Sequence, residues 1–191
     1  MEENKGWHNR GYLPHFDSGD VTQFITFRMG DSLPQQVLNE LEYLTKNGTE
    51  GIIERQKQIE AYLDQGSGSC ILRDSECASI VQNALKFLDG TRYELRAWVV
   101  MPNHVHVLAR FSQGQPLWKA MHSLKSYTSN ELGKLHPEVR QIWQEESFDR
   151  FIRSEEHYWH IVRYIQENPV KANLCRKPEE FPWSSTLAEG S

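Results

Sequence analysis

Two periods of apolar residues divide the chain. Residues 21–29, VTQFITFRM, are β-branched and aromatic and stop at Gly30-Asp31, which predicts a strand. Asp31-Ser32-Leu33-Pro34 then places a capping residue and a proline at a helix start. Val37, Leu38, Leu41, Tyr43 and Leu44 give that helix its stripe, up to Asn47-Gly48. A second amphipathic helix is predicted over 51–64, followed by a flexible Gly/Ser break at 65–69. Asp74 or Ser75 caps a third helix, with Ile80, Val81, Ala84, Leu85 and Leu88 on one face and Asp89-Gly90 at its end. The most apolar and β-branched region follows, as two strands over 92–101 and 104–111 separated by Pro102-Asn103. A long helix is predicted over 117–135, a strand-like stretch over 141–152, and a last helix over 155–167. Asn168-Pro169 should stop that helix, because proline pushes the preceding residue out of helical geometry. The tail, 176–191, reads as extended. Strands alternating with helices in this order predict one α+β domain over 1–191, an antiparallel sheet with helices packed on it.

Composition narrows the class. The 191 residues are 38% hydrophobic and 25% charged, and no run approaches a membrane span. The N-terminus has no apolar signal core. The three cysteines, Cys70, Cys77 and Cys175, form no C-x-x-C pair; they read as small buried hydrophobes in a reducing compartment. The expected location is the cytoplasm. A net charge of −5 argues against a nucleic-acid partner. The charge is uneven, however: residues 110–178 carry 11 Lys and Arg against 8 Asp and Glu. Long-range attraction to DNA is therefore modest, and any groove depends on local placement of cations.

His104-Val105-His106 is the most informative triplet. Alternate side chains of a strand share a face, with Cα atoms about 6.6 Å apart, so both imidazoles can converge on one metal ion. A hydrogen-bonded structural pair is the alternative. Val105, Val107, Ala109 and Phe111 form the opposite, core face. On the 117–135 helix the stripe is Leu117, Met121, Leu124, Leu132 and Leu135, and Tyr127 and Glu131 fall one turn apart on its border. If that border overlooks the histidines, His104, His106 and Glu131 could hold a divalent ion, Mg²⁺ or Mn²⁺, and Tyr127 could attack a phosphodiester. Read singly, Tyr127 is a boundary residue and Glu131 a solvated one.

Several stretches then fit one family: Arg10-Gly-Tyr-Leu-Pro-His, Ile25-Thr-Phe-Arg, the run from Trp98 through Met-Pro-Asn-His-Val-His, the helix Leu124-Lys-Ser-Tyr-Thr, the segment from Trp143 to Arg153, Arg163-Tyr-Ile-Gln-Glu-Asn-Pro-Val-Lys-Ala, and Phe181-Pro-Trp-Ser-Ser. Over residues 10–185 the chain resembles the REP-associated tyrosine transposases, a branch of the HUH single-tyrosine transposases that act on single-stranded DNA. The resemblance implies a ferredoxin-like sheet and His104 and His106 as metal ligands. It also implies Tyr127 as the nucleophile, leaving a 5′-phosphotyrosine and a free 3′-hydroxyl. Glu131 stands where such enzymes place a third polar ligand, often an amide; a carboxylate departs from that pattern, and Asn130 is the fallback. Residues 45–75 look like a helical insertion. The implied partner is single-stranded DNA with a palindromic hairpin, bound as monomer or homodimer without a membrane. Candidate DNA contacts are Arg10, Lys125, Arg150, Arg153, Arg163, Lys171, Arg176 and Lys177. Trp143, Phe148, Phe151, Tyr158 and Trp159 are expected mainly in a core, with one or two free to stack on bases. A hairpin-binding protein without turnover, or a phosphoesterase using water, are the rival functions.

Overall fold

A computed structural model describes residues 6–9, 14–17, 21–44, 48–111 and 114–186. Its centre is a four-stranded antiparallel sheet of β3 (Val21–Arg28), β4 (Glu94–Val100), β5 (His104–Phe111) and β6 (Phe148–Phe151), in the order β4-β5-β3-β6. Two of the β-branched runs, β3 and β5, thus become the middle of the sheet, while the 92–101 run, expected at the centre, forms the edge strand β4. β1 (Gly6–Asn9) and β2 (Pro14–Asp17) form a separate two-stranded antiparallel ribbon that the apolar pattern leaves unassigned.

The sheet has helices on both faces. α3 (Ser75–Leu88) and α4 (Leu117–Leu135) cover the face carrying Ile25, Phe27, Val105, Val107 and Ala109. Their buried contributions include Val81, Leu85, Met121, Leu124 and Leu132. Asp74 caps α3 by accepting from the backbone N–H groups of Glu76 and Cys77. α5 (Glu155–Lys171) covers the other face, where Ile161, Val162 and Ile165 meet Phe24, Val99 and Leu108. A third, smaller core joins α1 (Gln35–Glu42) to α2 (Gly48–Asp64) through Leu33, Leu41, Leu44, Ile59 and Leu63. Of this pair, α2 lies within the stretch 45–75 and α1 precedes it. Cys70 and Cys77 are buried and Cys175 is half-buried, all three as free thiols.

Four expectations are corrected. α5 runs through Pro169 to Lys171 rather than stopping at Asn168. Asn168 and Pro169 are both buried, and Ala172 caps the helix, followed by Asn173 at φ +56°. Burial of the last turn outweighs the local preference against a proline there. Of 141–152 only Phe148–Phe151 is strand. The tail contains a 3₁₀ turn, Pro178–Glu180, and then closes the β4 edge: Val100 N–H donates to the Trp183 carbonyl at 2.8 Å and Trp98 N–H to Ser185 Oγ at 3.1 Å. The Gly/Ser break is tied down. Ser69 N–H donates to Asp31 Oδ2 at 2.8 Å, and Gly68, at φ +88°, sits where a Cβ would lie 2.7 Å from the Asp31 carbonyl oxygen. Among the described residues no helix is long and apolar enough to cross a membrane.

Candidate active site

Strand alternation puts His104 and His106 on the α5 face, and both are fully buried. Their Nε2 atoms lie 3.1 Å apart. His104 Nδ1 is 2.8 Å from the amide oxygen of Asn103. An amide oxygen only accepts, so Nδ1 carries the proton and Nε2 keeps its lone pair. Asn103 is fixed in turn, because its Nδ2 donates to the carbonyls of Leu63 at 3.2 Å and Ser67 at 2.8 Å. The insertion thus orients the first histidine. His106 Nδ1 is 2.8 Å from Thr26 Oγ1, a hydroxyl that can donate or accept, so His106 can present either form at Nε2. Burial pushes His104 down to about 3; burial, then the His104 charge, pushes His106 well below the usual histidine range. Both imidazoles are neutral at neutral pH.

The residue that meets them is Tyr164. Its hydroxyl is 3.5 Å from His106 Nε2, and its ring packs edge-on against the imidazole at 5.2 Å. Phe24 stacks on His106, with centroids 5.4 Å apart, and meets the Tyr164 ring edge-on at 5.8 Å. Burial, then the charges of Glu60 and Asp64 on α2, hold the Tyr164 hydroxyl above its usual value, and Glu60 and Asn168 are its hydrogen-bonding neighbours. Burial also raises Glu60, while its bonds to Gln56 and Tyr164 and the Arg150 charge oppose that rise. Asp64 is pushed up to about 6 by burial and then by Glu60.

Asn168 follows Tyr164 by one helical turn on the same face of α5. It is fully buried, and it bears on the Tyr164 hydroxyl. Neither Asn168 Nδ2 nor Oδ1 makes a hydrogen bond of full geometry. A buried amide left unpaired is costly and calls for an explanation. The His104 Nε2 lone pair, and that of His106 in the tautomer with its proton on Nδ1, are donors of the kind a divalent cation accepts. Among the described residues no group of three or more His, Cys, Asp or Glu could hold a metal.

Tyr127 and Glu131 do not join this group, which corrects the sequence expectation. α4 packs on the Val105 face, across the sheet from the histidines. Tyr127 is 55% exposed, and the Glu131 carboxylate pairs with Lys134 at 2.6 Å. Asn130 is exposed on the same helix. The condition on which that grouping depended is not met, because the stripe of 117–135 and the histidines lie on opposite faces of the sheet. The sequence signal for the tyrosine that does meet a histidine is Tyr164-x-x-x-Asn168, a phenol and an amide on one helix face.

The predicted DNA contacts separate into two groups. Lys125 is consumed inside the fold: its ammonium donates to the carbonyls of Gln144, Glu145 and Glu146 at 2.9, 3.1 and 3.4 Å. Arg150 lies on the histidine face, where Phe24 pairs with it, and its partly buried guanidinium faces Glu60. Arg153, Arg163, Lys171, Arg176 and Lys177 are exposed. Arg153 lies over the Phe151 ring at 5.0 Å, and Lys171 over the Tyr164 ring at 5.3 Å while pairing with Glu167. Arg10 lies outside the described residues. Trp143 is buried as expected, whereas Trp159 is 56% exposed on α5.

Comparison with known proteins gives three findings. A family model described as "Transposase IS200 like" matches residues 72–168, which include both histidines, Tyr164 and Asn168 but not α1 or α2. A REP-associated tyrosine transposase of Escherichia coli (strain K12) is 29% identical over 94 residues, 49% of this chain and 54% of that one. The matched region thus spans about half the length of that relative. The solved structure of a REP-associated tyrosine transposase bound to a REP hairpin aligns with 98% of this chain and 84% of its own, at TM-score 0.57 and 18% identity. That likeness is one of fold.

Proposed function

The chain belongs to the IS200-like transposase family, and from that premise we propose that it is a metal-dependent single-stranded DNA endonuclease and strand-transferase with Tyr164 as nucleophile. The observation that carries the proposal is the contact of the Tyr164 hydroxyl with His106 Nε2. His104, His106 and Asn168 would hold a divalent ion, Mg²⁺ or Mn²⁺. When bound, the ion would polarise the phosphodiester and offset developing negative charge.

The chain's own groups have distinct tasks. Tyr164 Oη attacks phosphorus and gives its proton to the Glu60 carboxylate, its hydrogen-bonding neighbour. The bond from phosphorus to the 3′-oxygen breaks, and that oxygen takes up a proton to become a free 3′-hydroxyl. The 5′ side stays on the protein as a phosphotyrosine. Attack by a second 3′-hydroxyl on that intermediate returns the proton to Tyr164 and rejoins strands. Phe24 and Thr26 hold the His106 ring, and Asn103 holds His104. The solved relative is bound to a REP hairpin, and a palindromic hairpin beside a single-stranded flank is the proposed substrate. Arg153 and Arg163 supply exposed cations for its phosphates, and Trp159 an exposed ring for stacking.

Incubation of the protein with hairpin oligonucleotides and Mn²⁺ tests this reading. A covalent protein–DNA adduct that survives denaturation is expected. Hairpin binding without an adduct on any substrate supports the rival reading, a binding protein without turnover. Cleavage that leaves no adduct and survives loss of Tyr164 supports hydrolysis by water.

A further inference from the structure

A second concavity adjoins the site. A cavity of about 500 Å³, within the range of small-ligand pockets, lies between the α1–α2 pair, β3 and the 141–148 segment. It shares two walls with the reaction site. Thr26 lines it and also bonds His106. Gln56 lines it and also donates to the Glu60 carboxyl at 3.1 Å.

The lining combines opposite charges at close quarters. Arg28 and Arg55 are both cavity residues, and so are Glu42, Glu145 and Glu146. Arg28 is 8% exposed. Burial holds both guanidinium groups below their usual range, and the two repel each other while Glu146 and Glu42 steady them. Arg55 Nε is buried without a hydrogen-bond partner. A free phosphate would meet these carboxylates as well as the arginines. A neutral, flat ligand with a strong acceptor edge and a strong donor edge fits better. Guanine has both: N7 and O6 accept a guanidinium fork, and N1–H and the 2-amino group donate to a carboxylate. Phe148, another lining residue, offers a ring for the base face.

We infer that this cavity receives a guanine of the substrate strand, swung out beside the scissile phosphodiester, with Arg55 on its N7/O6 edge and the cavity carboxylates on its N1/N2 edge. The inference rests on the reading of the Tyr164 cluster as a single-strand cleavage site. It adds a base-specific contact from α2, an element outside the matched family region.

The test is a binding selection on the full chain in EDTA, so that cleavage contributes nothing. The ligands are hairpins whose single-stranded flanks carry eight random nucleotides. Wild type should enrich guanine at one flank position. Placing 7-deazaguanine there should weaken binding to unmodified protein by about 10-fold, the scale of a lost bidentate base contact. Arg55→Gln should lose the enrichment at that position alone, with hairpin binding and melting temperature retained. No guanine preference at any flank position, a preference for another base, or full tolerance of 7-deazaguanine overturns the inference. These outcomes differ from failure of the underlying reading, which is an absence of adduct on every substrate when Mn²⁺ is restored.

Discussion

The Tyr164 hydroxyl lies 3.5 Å from His106 Nε2, across the junction of α5 and β5. This contact joins the helix that carries the buried amide of Asn168 to the strand that carries both histidines. Asn168 contributes little through its own bonds, since both amide atoms are buried and neither makes a hydrogen bond of full geometry, its nearest partner being the Tyr164 hydroxyl. Asn168→Leu should therefore leave the melting temperature unchanged or higher, because an unsatisfied buried polar group is removed. Adduct formation should fall about 10–100-fold, the usual effect of disturbing a metal site. Thermal melting and adduct yield measured on the same preparation check both halves.

Glu60 is the proton acceptor in this account. Glu60→Gln should slow adduct formation by about 10²–10⁴-fold, the range of general base catalysis, with hairpin affinity little changed. The pH profile gives a sharper check. Burial holds Glu60 above its usual range, so the wild-type rate should still be rising above ordinary carboxylate pKa values. The variant should lack that limb.

Asp64 makes a stability prediction. Its folded value, about 6, lies above its ordinary value of 3.8. Between those two pH values the folded state binds more protons than the unfolded one, so stability falls as pH rises, and the penalty is complete above about pH 6. Partial exposure reduces the effect. Asp64→Asn should raise the melting temperature at pH 7.5 by about 2 °C, the shift that ~1 kcal/mol makes in a chain of this length. At pH 4 the two proteins should melt together. Melting curves at both pH values decide it.

The sheet was legible because β-branched, alternating segments such as 104–111 leave little choice of structure. The long helix was legible to its last residue, since its stripe runs unbroken from Leu117 to Leu132. Helix packing was not legible. Nothing in the pattern of 117–135 says which sheet face it covers, and α4 carries Tyr127 to the face away from the histidines. The proline rule hid the right side, because it ended the last helix at the residue that proves to be its buried amide. The histidines needed only strand periodicity, and the structure keeps them side by side. Helix α2 was legible from its apolar pattern, but its reach to Tyr164 through Glu60 depends on tertiary contacts with no local signal.

Asn103 couples that insertion to the histidines through three hydrogen bonds. Asn103→Ala should destabilise the fold by about 2–3 kcal/mol, since it leaves buried partners unpaired. It should also lower Mn²⁺ affinity by about 10-fold by releasing the His104 tautomer. Denaturant unfolding and metal titration of the folded variant measure the two effects separately.

The most direct measurement locates the covalent bond. Wild-type protein is trapped on a hairpin substrate with Mn²⁺, digested, and its DNA-bearing peptide sequenced by mass spectrometry. This account predicts the nucleotide on Tyr164, with Tyr127→Phe still forming adduct and Tyr164→Phe forming none. A nucleotide found on Tyr127, or an adduct persisting in Tyr164→Phe, would contradict it.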